Sequence, residues 1–405
     1  MSPVAERKPL AELVNELNVF MDECVYPAEA AFHREEAADG WNRPLEMAGL
    51  KTEAQRRGLW NLFLQHHPRG TGLSLAEYAE LAEISGRSPL VAPEALNCSA
   101  PDTGNMELLA MFGTEDQQAR WLEPLLDGVI RSAFCMTEPE VASSDAANLR
   151  FSIRQDGDSL VLNGRKWWST GVLSDDCRLL VVFGETDPDA PKSERYSVVL
   201  VPRDSPGVTV RRALPVFGFW DRAHGGHGEI AFDDVRVPVS ALLGGRGQGF
   251  ALGQARLGPG RVHHCMRLVG MAERAFDLMC RRVWTRTVFG QPLAANADVA
   301  RTIADCRVKI DLTRALIKHA AQLIDQRGAK AAITEIAEIK IATPAMAQDV
   351  IDRAIQLHGA SGLTADFPLA VLFAQARGLR FADGPEEVHR MVLARREMAR
   401  YRPRR

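Results

Sequence analysis

Two short stretches of this 405-residue chain hold residue types that could do chemistry. FCMTEPEVASSD, residues 134–145, joins apolar residues to a run of hydroxyls and backbone N–H groups. About 240 residues later, LRFADGPEEVHR, residues 379–390, sets the acid Asp383 on a Gly-Pro turn. A carboxylate held on rigid backbone at a helix start is what a positioned general base needs. The same DGPEE segment also fits a plain helix start, with Asp383 as N-cap, Pro385 in the first turn and Glu386 at the capping-box position.

Other polar clusters have simpler explanations. The glycines of GGRGQG, residues 244–249, miss the GxGxxG spacing and lack a surrounding βαβ unit, so the loop is expected to be a flexible connector rather than a dinucleotide site. His66 and His67, His224 and His227, and His263 and His264 form no complete ligand set at zinc-like spacing, which predicts polar loops or helix packing and no metal. Trp167 and Trp168 fit sheet aromatics, and Thr137, Ser143 and Ser144 fit turns.

The elements that must position these residues fall in three blocks. Residues 1–131 are mostly helical: in LAELVNELNVFMDECV, Leu10, Leu13, Val14, Leu17 and Met21 recur at helical spacing. Residues 132–245 turn to strands such as LRFSIRQ, SLVLNGRKWWS, LLVVFGE, YSVVLVP, VTVRRAL and EIAFDDVRV, with DGD, NG and SPG as the expected turns. This predicts a β-sandwich or β-barrel domain. Residues 246–405 return to helical periodicity, with helices expected over 250–289, 297–327, 331–358 and 385–400, stops at Gly328 and Gly359, and a kink at Pro344. The fold class is therefore α+β: an N-terminal helical domain, a middle β domain and a C-terminal four-helix bundle.

Composition narrows the function classes. With 49 basic and 52 acidic residues the net charge is −3, so no overall basic field favours nucleic acid or an anionic membrane. No apolar run reaches the ~18 residues of a membrane span. Seven cysteines, odd in number and without a CxxC pair, predict free thiols in a reducing compartment, and the charged N-terminus predicts a cytoplasmic protein.

Taken with WWST (167–170) and RTVFG (286–290), the two chemical stretches resemble the acyl-CoA dehydrogenase family of flavoproteins. The similarity runs in order from GLWNLFL at 58–64 through FGTEDQQARWLEPLLDG, NGRKWWST, LGGRGQGF, LGPGRVHHCMRLVGMAERA, RTVFGQPL and AIQLHGASG to DGPEEVHR. It is most similar to the branch resembling the dehydrogenase domain of the family's kinase-fused members. The resemblance implies an FAD cofactor, with Phe134, Met136 and Thr137 lining the flavin ring, Ser143 and Ser144 near the pyrophosphate, and Trp168, Ser169 and Thr170 covering the other side. It further implies that Arg286 and Phe289 reach the FAD of a neighbouring subunit, that Gln356, Gly359 and Ala360 approach it across a dimer, and that Pro385 and Glu387 border it. Ser144, Leu257, Gly260, Arg261 and Gly384 are the implied acyl-CoA contacts. A homo-oligomer, dimer or dimer of dimers, and an acceptor such as electron-transfer flavoprotein are the implied partners.

In the family a carboxylate removes the Cα proton of an acyl-CoA while the β-hydrogen leaves as hydride. Asp383 falls at that base position, and Gly260 fills the second base position known in some members. Three departures stand out: EVASSD in place of xAGSD, Asp383 for the more frequent glutamate, and Ala382 and Pro385 for a tyrosine and a threonine. The last two imply room for a branched, bulky or oxygenated acyl group. Nitroalkane oxidation, acyl-CoA oxidation by O2 and a non-catalytic assembly role are the competing functions.

Overall fold

The computed structural model describes residues 8–37, 40–41 and 44–403. Along the chain the order is helices, a sheet, then helices, and in space the residues cluster into two compact units.

The first unit holds residues 28–72 and 94–257. Its sheet comprises β1 (Arg131–Cys135), β2 (Ser152–Asp156), β3 (Ser159–Thr170), β4 (Cys177–Glu185), β5 (Tyr196–Pro202), β6 (Val208–Ala213), β7 (His227–Pro238) and β8 (Leu242–Leu243). The order is β6-β7-β3-β2-β4-β5-β8, and β1 pairs in parallel with β4. Strands β4 and β5 are apolar on both faces and lie inside the order, while β6 alternates exposed Thr209 with half-buried neighbours at the edge. Phe151, Leu162, Leu180, Val182, Val199, Val201, Ile230 and Phe232 are among the residues of one buried cluster.

The expected DGD turn joins β2 to β3 with Gly157 at φ +60°, and the SPG turn puts Gly207 at φ +89°. The expected NG turn is not one. Asn163 and Gly164 lie inside the continuous strand β3, where the register against β7 slips between Leu162 and Gly164. Gly164 sits at φ +135°, and a Cβ there would come 2.9 Å from the Phe151 ring, so the glycine serves a bulge and a close ring contact rather than a reversal. The GGRGQG loop also departs from expectation, because it is tied down. Arg246 donates to the Thr186 carbonyl (2.8 Å) and to Gln155 (3.1 Å), and the Gly247 N–H donates to Ser197 Oγ (2.9 Å).

The helix Asp102–Phe112 packs beside β1 through a buried ion pair. Arg131 Nε donates to Asp102 Oδ2 at 3.0 Å, and its guanidinium lies 3.3 Å from Glu94, with all three residues buried. The two carboxylates raise the guanidinium pKa despite burial. They therefore keep the charge in place where β1 leads into the 134–145 segment.

Described residues 8–27, 73–93 and 258–403 form the second unit. Helix Leu75–Gly86 opens on a capping box, Ser74 and Glu77, and crosses the helix Gly249–Thr285 where neither carries a side chain. A Cβ on Gly86 would lie 2.4 Å from the Arg267 carbonyl, and one on Gly270 would lie 2.0 Å from the Glu83 carbonyl. The backbones approach closely because both crossing positions are glycine. Helices Ala297–Arg327, Ile333–His358 and Glu386–Ala399 follow as expected, and Gly328 and Gly359 end two of them at positive φ. Pro344 sits within Ile333–His358 without ending it.

Three expectations need correction here. The helix expected to reach Phe289 stops at Thr285, because Phe289 and Gly290 adopt positive φ in a small hairpin pairing Thr287–Val288 with Gln291–Pro292. A further helix, Leu369–Gly378, lies in what the periodicity left as a link. The last helix starts at Glu386 with Pro385 as N-cap, so Asp383 is not the cap, and Glu386 pairs with Arg380 instead of closing a capping box.

Candidate active site

In the first unit, β1 runs into the loop that carries the hydroxyls. The loop is held by Lys166 on β3, whose side chain is fully buried and whose Nζ donates to the Met136 carbonyl and to Glu138 Oε1, both at 2.8 Å. Glu138 also accepts from the Arg150 and Phe151 N–H groups at 2.8 and 3.0 Å. Desolvation pulls Lys166 down to about 8, against the pull of Glu138. The local sequence does not mark this pair; lysine and glutamate in a strand and a loop look like surface residues until the fold buries both.

The loop residues then differ in what they can offer. The Thr137 carbonyl accepts from the Trp167 N–H at 2.9 Å, which ties the two predicted ring-lining segments together. Ser143 Oγ accepts the Glu138 N–H at 2.8 Å, so its hydroxyl clasps the loop, while Ser144 is exposed. On β3 the register slips again between Lys166 and Ser169, and Trp168 stands at φ +52° with 42% of its surface exposed. The bulge re-aims that indole off the sheet. Ser169, next along the strand, is fully buried. Thr170 Oγ1 is engaged with His227 Nδ1 at 2.9 Å. The Arg256 guanidinium lies 4.0 Å from the centre of the Phe134 ring and donates to Asn105 at 3.2 Å. Beside it, Glu107 has a sealed and unpartnered Oε2, and burial pushes its carboxyl up to about 8.

An exposed indole at a bulge, loop hydroxyls and a run of loop backbone suit an aromatic ring carrying a polyphosphate tail, so these residues fit a flavin dinucleotide. Among the described residues no group of three His, Cys, Asp or Glu could hold a metal.

Within the second unit lies the predicted base. Asp383 has φ +55° and Gly384 φ +99°, so the turn before the last helix runs through left-handed backbone that a non-glycine residue adopts only at a cost. Its neighbours hold it there. Arg261 Nε donates to the Asp383 carbonyl at 3.1 Å, and the buried Lys340 Nζ donates to the carbonyls of Ala382 (2.7 Å) and Leu379 (3.1 Å). His389 hydrogen-bonds the Asp383 backbone, and a Cβ on Gly384 would come 3.1 Å from its Nε2. Desolvation, with Arg261 and Lys340 adding, pulls His389 down to about 4, so this imidazole is neutral near pH 7.

The carboxylate itself faces the long helix. A Cβ on Gly260 would lie 3.6 Å from Asp383 Oδ2, and His264 Nε2 lies 3.4 Å from the same oxygen. Gly260, Arg261 and His264 share one helix face by their spacing. In the sequence His264 fits half of a packing pair, and its spacing of four from Gly260 is the signal for more. Its neighbour His263 does pack, edge-on to Tyr78 with ring centres 4.6 Å apart, and burial holds it well below the ordinary histidine range.

The structure thus brings Asp383, Gly384, Gly260 and Arg261 together, with Pro385 next in the turn. Glu387, the second residue of the last helix, is exposed. Leu257 lies on the long helix, and its side chain is outside the described residues. Arg286, Phe289, Gln356, Gly359 and Ala360 are all exposed, Phe289 completely.

Three domain models of one family match the chain in order. Models of the acyl-CoA dehydrogenase N-terminal, middle and C-terminal domains match residues 10–129, 133–235 and 247–398. The chain is 54% identical to FadE2 of Mycobacterium tuberculosis over 387 residues, covering 95% of this chain and 94% of that one. It is 51% identical over 404 residues to mouse acyl-CoA dehydrogenase family member 10, covering 98% of this chain but spanning only 38% of that protein. A solved Mycobacterium abscessus structure carrying the family's name matches with a TM-score of 0.94 at 52% identity, over 97% of this chain and 98% of that one.

Proposed function

The chain belongs to the acyl-CoA dehydrogenase family, a family of flavoprotein oxidoreductases, and from that premise we propose that it dehydrogenates an acyl-CoA thioester between Cα and Cβ to the trans-2-enoyl-CoA. One observation carries the reading. Asp383 is not the cap of the last helix; it is held in left-handed backbone by cations that bind the carbonyls around it, with its carboxylate turned to Gly260 and His264 on the long helix.

In the proposed reaction Asp383 takes the Cα proton, and its own backbone N–H is the donor we assign to the thioester oxygen as negative charge builds there. Arg261 and Lys340 grip the carbonyls of the turn, so the base keeps its orientation through the cycle. We assign FAD to Phe134, Met136, Thr137 and residues 168–170 at the ring and to the 143–144 hydroxyls at the pyrophosphate; when bound it supplies the acceptor for the β-hydrogen. Arg286, Phe289, Gln356, Gly359 and Ala360 are assigned to the cofactor of a second subunit in a dimer or dimer of dimers, a role their exposure favours. Pro385 and Glu387 border the cofactor, and Ser144, Leu257, Gly260, Arg261 and Gly384 the acyl-CoA. Electron-transfer flavoprotein or a similar acceptor completes turnover. We retain the blocks 1–131, 132–245 and 246–405 as the domains. Seven cysteines that form no disulfide favour a reducing compartment such as the cytoplasm. No described helix is long and apolar enough to cross a membrane.

The test is an anaerobic bleaching screen with straight, branched and oxygenated acyl-CoAs and a nitroalkane. An acyl-CoA should bleach the oxidised flavin, and Asp383→Ala should abolish bleaching with the flavin still bound. Bleaching by the nitroalkane alone, or retained bleaching in the variant, overturns the assignment. Strong preference for short straight chains removes the case for a bulky acyl group. Rapid reoxidation by O2 would mark an oxidase.

A further inference from the structure

We propose that His264 is a positioning and relay residue for Asp383, receiving from its carboxyl the proton taken from substrate Cα and passing it to solvent. The inference rests on the proposed function, because it needs Asp383 to be the base.

The geometry is specific to one oxygen. His264 Nε2 lies 3.4 Å from Asp383 Oδ2, with both side chains mostly buried, at 19% and 15% exposure. Gly260, one turn earlier on the same face, leaves the space beside that oxygen open, with a Cβ reaching only to 3.6 Å. The other charged or titratable groups around the turn are committed elsewhere. Arg261 and Lys340 bind backbone carbonyls, His389 bonds the Asp383 backbone, and His263 packs on Tyr78. Cys265 is buried with its Sγ toward the Ile339 carbonyl, and Arg267 reaches the Tyr78 hydroxyl. Of these groups, His264 is the one whose ring nitrogen meets the reacting carboxyl rather than its backbone.

The step balances without a further reactant. The Cα–H bond breaks, its electron pair stays with carbon and the proton forms an O–H bond on Asp383. That O–H bond then breaks as an N–H bond forms at the lone pair of Nε2, the imidazole entering the step in its neutral form. The resulting imidazolium and carboxylate are a close ion pair; loss of a ring proton to water, with exchange between Nδ1 and Nε2 through solvent, returns the carboxylate and the imidazole tautomer whose Nε2 is bare.

Cα exchange separates a relay from an orienting contact. The probe is a 3-thia-acyl-CoA in D2O, in which sulfur at the β position blocks hydride loss, with deuterium at Cα followed by mass spectrometry. The comparison is single-turnover flavin reduction by the ordinary acyl-CoA. In His264→Gln, which keeps a hydrogen-bonding side chain, reduction should stay within about threefold of the native rate. Exchange should fall at least tenfold, because the proton on Asp383 returns to the carbon it left. His264→Ala should repeat the exchange defect. Unchanged exchange in both variants, or equal losses of exchange and reduction in both, overturns the relay. If the native protein neither exchanges the probe nor is reduced by any acyl-CoA, the base assignment itself fails and the relay with it; native reduction together with exchange that neither His264 variant changes rejects the relay alone.

Discussion

Replacing Lys166 with methionine removes a charge from the interior while keeping most of the volume, and it isolates what holds the 134–145 loop. Lys166 Nζ supplies one of three hydrogen bonds to the buried Glu138 carboxylate; the other two come from the Arg150 and Phe151 N–H groups. Breaking one side of a buried ion pair costs ~3–5 kcal/mol. The two remaining donors place the carboxylate loss near the lower end, and the orphaned Met136 carbonyl adds ~1 kcal/mol. The expected total is ~4 kcal/mol. Urea unfolding followed by tryptophan fluorescence reads it as a lower midpoint. Bound flavin after purification should fall as well, because the loop loses its anchor on β3. Adding Glu138→Gln removes the unpaired charge and keeps an acceptor for one backbone N–H, so the double variant should regain roughly half of the loss. A Lys166→Met protein within ~1 kcal/mol of the native one, or a double variant less stable than the single, would refute this account of the loop.

Two further outcomes follow from single residues. Burial raises Glu107 to about 8 from an ordinary 4.5, so below pH 4.5 both folded and unfolded chains carry it protonated, and its contribution to stability is lost as pH rises from 4.5 towards 8. Glu107→Gln should therefore flatten the stability profile across that window and stabilise the protein at pH 7.5 by on the order of 2–4 kcal/mol; a parallel profile in the variant counts against a buried neutral carboxyl. Gly270→Ala places a methyl 2.0 Å from the Glu83 carbonyl, where backbone must move, and should cost ~1–3 kcal/mol, read as a lower urea midpoint; a loss under ~0.5 kcal/mol would mean the helix crossing is looser than drawn.

Residue pattern alone set the order of helices, sheet and helices, because strands with alternating or wholly apolar runs and helices with a 3.6-residue period leave local signatures. It also marked Gly157, Gly207, Gly328 and Gly359, where a chain reversal or helix end needs positive φ. It could not distinguish Gly164 from these, since a bulge against Phe151 asks for the same residue as a turn, and only the pairing with β7 decides which it is. The chemical segments were visible through resemblance. What their side chains do was not: Ser143 and Ser169 look alike in sequence, yet one clasps the loop and the other is sunk in the sheet.

The burial of Lys166 with Glu138, and the meeting of Asp383 with His264, were likewise settled by tertiary structure. Each pair spans tens to more than a hundred positions along the chain, and neither residue's own neighbourhood announces a partner. A capping residue and a catalytic acid can share one local sequence. Where the last helix starts, and what stands opposite the Asp383 carboxyl, are decided by packing between segments that the chain order keeps apart.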